Sequence, residues 1–118
     1  MKFLFILNDP PYGTERSYNA LRHARELLKD GSPDVELKVF LIGDASAGAH
    51  AGQKVPQGYY SIEALLRGLT ARGAEVGVCG TCMDARGLGD ADLTAHCVRS
   101  TMAQLAAWSN WADKVLVY

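Results

Sequence analysis

The sequence predicts a three-layer α/β/α domain built on a central, mainly parallel sheet of four to five strands. Two observations carry that expectation. Short, almost continuously apolar runs recur along the chain, each closed by turn formers, as strands buried on both faces read. Between them lie segments with apolar residues at i, i+3 and i+4, the mark of one helical face. Strands alternating with helices in this way pack as a parallel sheet between helix layers. At 118 residues the chain is expected to form one domain, residues 1–118, around a single core.

Lys2 to Leu7 is the first apolar run, stopped by Asn8-Asp9-Pro10-Pro11. Asn8 to Gly13 is then a loop stiffened by its two prolines. Thr14 reads as the N-cap of a helix, with Glu15 in the first turn where the helix dipole favours a carboxylate. Tyr18, Leu21, Ala24 and Leu28 share a face, interrupted only by Arg25, and Gly31 is the stop. Ser32-Pro33-Asp34 leads into a second strand, Val35 to Ile42, closed by Gly43-Asp44. Asp44 to Tyr60 is a long alanine- and glycine-rich stretch carrying His50, Lys54 and Tyr59-Tyr60, in which residues 45–51 suit a short helix. Loops this long in a small domain are usually functional or mobile. Ser61 caps a clear amphipathic helix with Ile62, Leu65, Leu66 and Leu69 on one face, ending at Gly73. Glu75 to Val78 is the third strand. Asp90 reads as the cap of the last helix, placing Leu93, Cys97, Thr101, Leu105 and Trp108 on one face, and Lys114 to Val117 is the fourth strand.

Composition narrows the function classes. A net charge of −1 and the absence of a basic run give no footprint for nucleic acid or for an anionic membrane surface. The opening apolar run is too short for a signal peptide or a membrane span. Three cysteines make an odd count, which favours reduced thiols in the cytoplasm over a disulfide framework. No nucleotide-binding glycine motif follows the first strand, and no cofactor is expected.

The chemistry is expected around Cys79, where the third strand breaks into small and polar residues. In parallel sheets ligands bind beyond the C-terminal strand ends, where the loops from Asn8, Asp44 and Cys79 meet. A cysteine there is either a small core residue or a nucleophile. Gly80 and Thr81 free backbone N–H groups to point at its sulfur, and Arg86 can add positive charge, both of which favour the reactive thiolate. Cys82 completes a C-x-x-C pair, compatible with dithiol redox chemistry, with zinc, or with a nucleophile and its resolving partner. Zinc lacks two further ligands, because His96 and Cys97, adjacent on the expected helix, point about 100° apart. Met83 to Gly89 looks like a polar spacer that delays the next helix to Asp90, unlike a thioredoxin-type motif that opens its helix directly. Asp84 and Arg86 are either a solvated ion pair or residues that orient the cysteine loop or bind an anionic substrate. Asn8, Tyr12 and Lys54 are further candidates for lining the pocket, with turn chemistry and solvation as their alternatives. His23 and His50 read as surface residues, Cys97 as packing, and Trp108 and Trp111 as core or interface residues.

The segments Asn8-Asp-Pro-Pro-Tyr-Gly-Thr14, Leu41-Ile-Gly-Asp-Ala45, Gly52-Gln-Lys54 with Gly58-Tyr59, and Val78-Cys-Gly-Thr-Cys-Met-Asp-Ala-Arg-Gly-Leu88 together resemble the DsrE/DsrF-like family, and within it the YchN-type branch. The close from Trp108 to Asp113-Lys-Val-Leu-Val117 has the same form. The resemblance implies a small α/β/α domain that assembles as a homo-oligomer, trimer or hexamer. It implies a catalytic role for Cys79, because sulfur-relay members accept a persulfide sulfur on the matching cysteine and hand it from a donor protein to an acceptor protein. Many relay members lack a counterpart of Cys82, which the YchN-type branch carries. The expected function is therefore sulfur transfer through Cys79, with Gly80, Thr81, Asp84, Arg86, Asn8, Tyr12 and Lys54 in support. The alternatives are a dithiol redox or sensing protein using Cys79 and Cys82, and a non-catalytic oligomeric binding subunit.

Overall fold

The computed structural model describes residues 1–29, 34–56 and 60–118. The expected helix stop at Gly31, the Ser32-Pro33 connector and Tyr59 lie outside them. Five strands form one sheet: β1 Lys2–Leu7, β2 Glu36–Leu41, β3 Glu75–Cys79, β4 Cys97–Ser100 and β5 Lys114–Val117. Their order is β4-β3-β2-β1-β5, and every neighbouring pair is parallel. Among the described residues the helices are α1 Arg16–Lys29, α2 Ile62–Ala71, α3 Gly80–Ala85 and α4 Met102–Trp111, with a 3₁₀ segment at Gly43–Ala49.

The layers follow from handedness. From β1 to β4 the chain steps across the sheet in one direction, and from β4 it returns over the whole sheet to β5 at the far edge. Parallel crossovers are right-handed, so connections made in opposite directions fall on opposite faces. The pleat confirms the division. Phe5, Leu7, Val39 and Val78 are buried with Leu21 of α1 and with Leu66 and Leu69 of α2. Leu4, Phe40 and Cys79 point the other way, against Trp108 of α4.

Between Asp90 and Trp108 the structure corrects the sequence reading. Instead of one helix there are a short 3₁₀ turn at Asp90–Asp92, the strand β4, and α4, which is capped by the Thr101 hydroxyl accepting from Gln104 N–H at 3.1 Å. His96 has φ 67°, a left-handed conformation that no helix interior accommodates. The i, i+4 series from Leu93 to Leu105 mimicked a helical face across this break. Its four strand residues are too few to display period 2.

Gly77 lets α4 reach the sheet. A Cβ there would stand 3.1 Å from the Trp108 ring and 3.2 Å from Ser100 Cβ. Trp108 uses the space to meet Phe40 edge-on, with ring centroids 6.1 Å apart. The Lys38 ammonium lies 5.0 Å from its ring and 4.5 Å from that of Trp111, a cation–π clamp on the same helix. Gly77→Ala is expected to lower stability by about 1–3 kcal/mol through overpacking, although alanine suits a strand better than glycine does. Urea denaturation checks this, and an unchanged midpoint would count against it. Among the described residues, no helix is long and apolar enough to cross a membrane.

Candidate functional site

The reversal of direction that puts α4 on its own face also places the site. β3 sends its chain toward the face of α1 and α2, and its neighbour β4 sends its chain toward α4. A crevice opens where adjacent parallel strands part in this way, beyond their C-terminal ends. β3 ends there in Cys79 and β4 in Ser100, which are register partners. Between them lies a hollow of about 230 Å³ lined by Cys79, Gly80, Thr81, Arg99, Ser100, Thr101 and Met102.

Cys79 is the N-cap of α3, which begins at the next residue. The spacer expected from Met83 to Gly89 is thus corrected: Met83 to Ala85 belong to a helix that opens directly behind the cysteine, as in a thioredoxin-type motif. A six-residue helix beginning Gly80-Thr81 has too little length and propensity to announce itself in sequence. Cys79 is only 5 % exposed, and its Sγ lies 3.4 Å from Thr81 Oγ1. Burial opposes its ionisation, but hydrogen bonds from the Cys82 thiol, the Thr81 hydroxyl and the backbone N–H groups of Cys82 and Thr81 outweigh it. The net effect holds the Cys79 thiol below its ordinary value.

Cys82 moves the opposite way. Burial and its hydrogen bond to Cys79 push its thiol up, as does repulsion from the Cys79 thiolate. The Gly43 N–H and the charge of Arg86 only partly offset this. Gly43 donates to Cys82 Sγ at 3.1 Å from a backbone with φ 59°, a conformation that favours glycine. One thiol is therefore shifted toward its ionised form and its neighbour away from it. The thiolate is the reactive form of cysteine.

The charged residues pair differently from their order in sequence. Arg86 bonds Asp44 Oδ1 at 2.6 Å and 3.1 Å and the Cys82 carbonyl at 3.1 Å. It thereby ties α3 to the 3₁₀ segment, and its charge acts on Cys82. Asp84 holds Arg99 instead, accepting from Nη2 at 2.8 Å through both carboxylate oxygens. Asn8 donates to the Tyr118 carbonyl at 3.1 Å, and the Tyr12 hydroxyl accepts from Ile62 N–H at 3.2 Å. Lys54 is exposed. None of the last three lines the Cys79 hollow. His23 meets the Tyr118 hydroxyl at 2.8 Å on the surface, His50 is exposed, and Cys97 is core packing on β4. The hollow's second wall, Arg99 to Met102, was missed because β4 was missed. The available signal was Thr101, a good N-cap three residues before Gln104.

The DsrE/DsrF-like family model matches residues 1–118. Protein YchN of Escherichia coli (strain K12) is 38 % identical over 117 residues, covering 99 % of this chain and 98 % of that protein. The crystal structure of the E. coli ychN protein superimposes with a TM-score of 0.94 at 36 % identity, covering 100 % of this chain and 99 % of the other. MTH1491 of Methanobacterium thermoautotrophicum, a protein of unknown function, shares the fold with a TM-score of 0.79 at 14 % identity, over 99 % of this chain and 98 % of its own.

Proposed function

This chain belongs to the DsrE/DsrF-like family, and from that premise we propose that it is a sulfur carrier, a sulfurtransferase-like protein that accepts and passes on a persulfide sulfur at Cys79. The observation that carries the reading is the split between two adjacent thiols, Cys79 held low and Cys82 held high, at the mouth of a small hollow at the sheet's switch point.

In the first step the Cys79 thiolate attacks the outer sulfur of a donor persulfide, R–S–SH. The S–S bond of the donor breaks, R–S⁻ leaves, and Cys79–S–SH forms. In the second step an acceptor thiolate attacks that outer sulfur. The acceptor gains the persulfide and the Cys79 thiolate returns. Neither step needs an external oxidant or reductant. The donor and acceptor are thiol-bearing molecules or proteins.

Incubation with cysteine and a cysteine desulfurase, followed by intact mass measurement, tests this. Wild type is expected to gain one sulfur atom, removable by dithiothreitol, and Cys79→Ala to gain none. No gain in wild type, or an equal gain in the variant, removes the proposal. A second reading, reversible dithiol chemistry, is favoured by the contact between Cys79 and Cys82. It requires the pair to close to a disulfide and reopen at a measurable potential in glutathione buffers.

A further inference from the structure

We propose that Arg99 is a catalytic residue of the same transfer, holding the sulfur anion once it has been loaded onto Cys79. This rests on the sulfur-carrier reading and adds a residue that neither the motif nor its spacing suggests.

Arg99 is the penultimate residue of β4 and forms part of the wall of the Cys79 hollow. Its side chain lies flat over Gly80. A Cβ on that glycine would stand 3.0 Å from Arg99 Nε and 3.2 Å from its Cζ, so the glycine is what allows the guanidinium so close. Two carboxylates fix the outer end: Nη2 meets both oxygens of Asp84 at 2.8 Å, and Nη1 lies 3.6 Å from Asp90. These bonds leave Nε–H over Gly80, beside the hollow. Exposed ion pairs like these add little stability. Their effect is positional, in that they hold a planar donor set in one orientation.

In the empty cysteine the groups that lower the thiol are Cys82 and Thr81. Loading changes the geometry. A persulfide places its terminal sulfur about 2 Å beyond Sγ, outside the shell of Thr81 and Cys82 and further into the hollow. After transfer the proton of Cys79–S–SH passes to the departing R–S⁻ or to solvent, and the charge resides on that terminal sulfur. Within the hollow wall Arg99 is the charged donor. A bond from it would keep the sulfur from leaving before an acceptor arrives.

The test compares wild type, Arg99→Met and Arg99→Lys, each loaded with inorganic polysulfide and then desalted. The lifetime of the adduct is read by intact mass, and the reactivity of the unloaded thiol by iodoacetamide alkylation across pH. Arg99→Met is expected to shorten the adduct lifetime roughly tenfold or more, the scale of one hydrogen bond to a charged group. Alkylation of its empty Cys79 should change by less than the adduct lifetime does. Arg99→Lys should fall between the two, since it keeps the charge without the fixed fork. Equal lifetimes in wild type and Arg99→Met overturn the inference, and so does a change in alkylation as large as the change in lifetime. A wild type that never loads overturns the carrier reading, and this inference with it. Loading without any effect of Arg99 overturns the inference alone.

Discussion

Alkylation of Cys79 by iodoacetamide should rise with pH through a midpoint below that of an ordinary thiol, and Cys79→Ser should remove the fast-reacting site altogether. Only the thiolate reacts, so a group whose ionisation is favoured reacts at lower pH. The sign depends on a balance: burial raises the Cys79 thiol, while its partners, led by the Cys82 thiol, lower it by more. Removing that donor in Cys82→Ala should therefore move the midpoint upward and slow the reaction at neutral pH by roughly tenfold, the scale of one hydrogen bond to a charged group. Cys82→Ser retains an O–H donor and should retain most of the rate. A wild-type midpoint equal to that of a free thiol would show that burial wins. A midpoint indifferent to Cys82→Ala would show that Cys82 is not the donor.

The second large effect concerns a cysteine remote from the chemistry. Cys97 is 8 % exposed in the core between β4 and the α1/α2 layer, and burial pushes its thiol up to about 12. In the unfolded chain the same thiol ionises near its ordinary value of about 8.5. Above that pH the unfolded state has lost a proton that the folded state still binds, so stability falls as pH rises. The contribution is intact below the unfolded value and is lost as pH climbs toward the folded one. Between about pH 8 and 11 the loss is about 2–3 kcal/mol at ~1.4 kcal/mol per pH unit. Cys97→Ala should be less stable than wild type at neutral pH, because it leaves a small cavity. Its stability should then fall less steeply with alkalinity. Denaturant midpoints of both proteins measured at each pH would check this, and parallel curves would count against it.

The first three strands and the helices after Gly13 and Ser61 were legible because each announces itself locally. Lys2 to Leu7 is an unbroken apolar run, and Ile62 to Leu69 is a repeating face with a serine cap. The position of Cys79 was legible for the same reason, since a buried strand ends in small residues. What failed was the stretch from Asp90 to Thr101 and the partners of the charged residues. β4 is four residues long, and Cys97 and Arg99 share one face while Val98 and Ser100 share the other. That alternation is too short to see beside a false helical series running through Leu93, Cys97, Thr101 and Leu105. With β4 unseen, Arg99 could not be placed. Arg86, two residues from Asp84, looked like the cation of the site. The helix between Gly80 and Ala85 turns it instead toward Asp44, while Asp84 reaches across to another strand. Sequence proximity suggested a pair that tertiary geometry does not make.

The return of the chain from β4 to β5 has a consequence for biogenesis. α4 stays in place because β5 docks on the far edge of the sheet, beside β1, where Asn8 bonds Tyr118 across 110 positions of sequence. During synthesis, Cys79 and its helix emerge well before that edge can close. Contacts spanning so much sequence form late and slowly. The wall of the hollow formed by Arg99 to Met102 thus comes from chain that follows Cys79, and the sheet that carries it is complete only with β5.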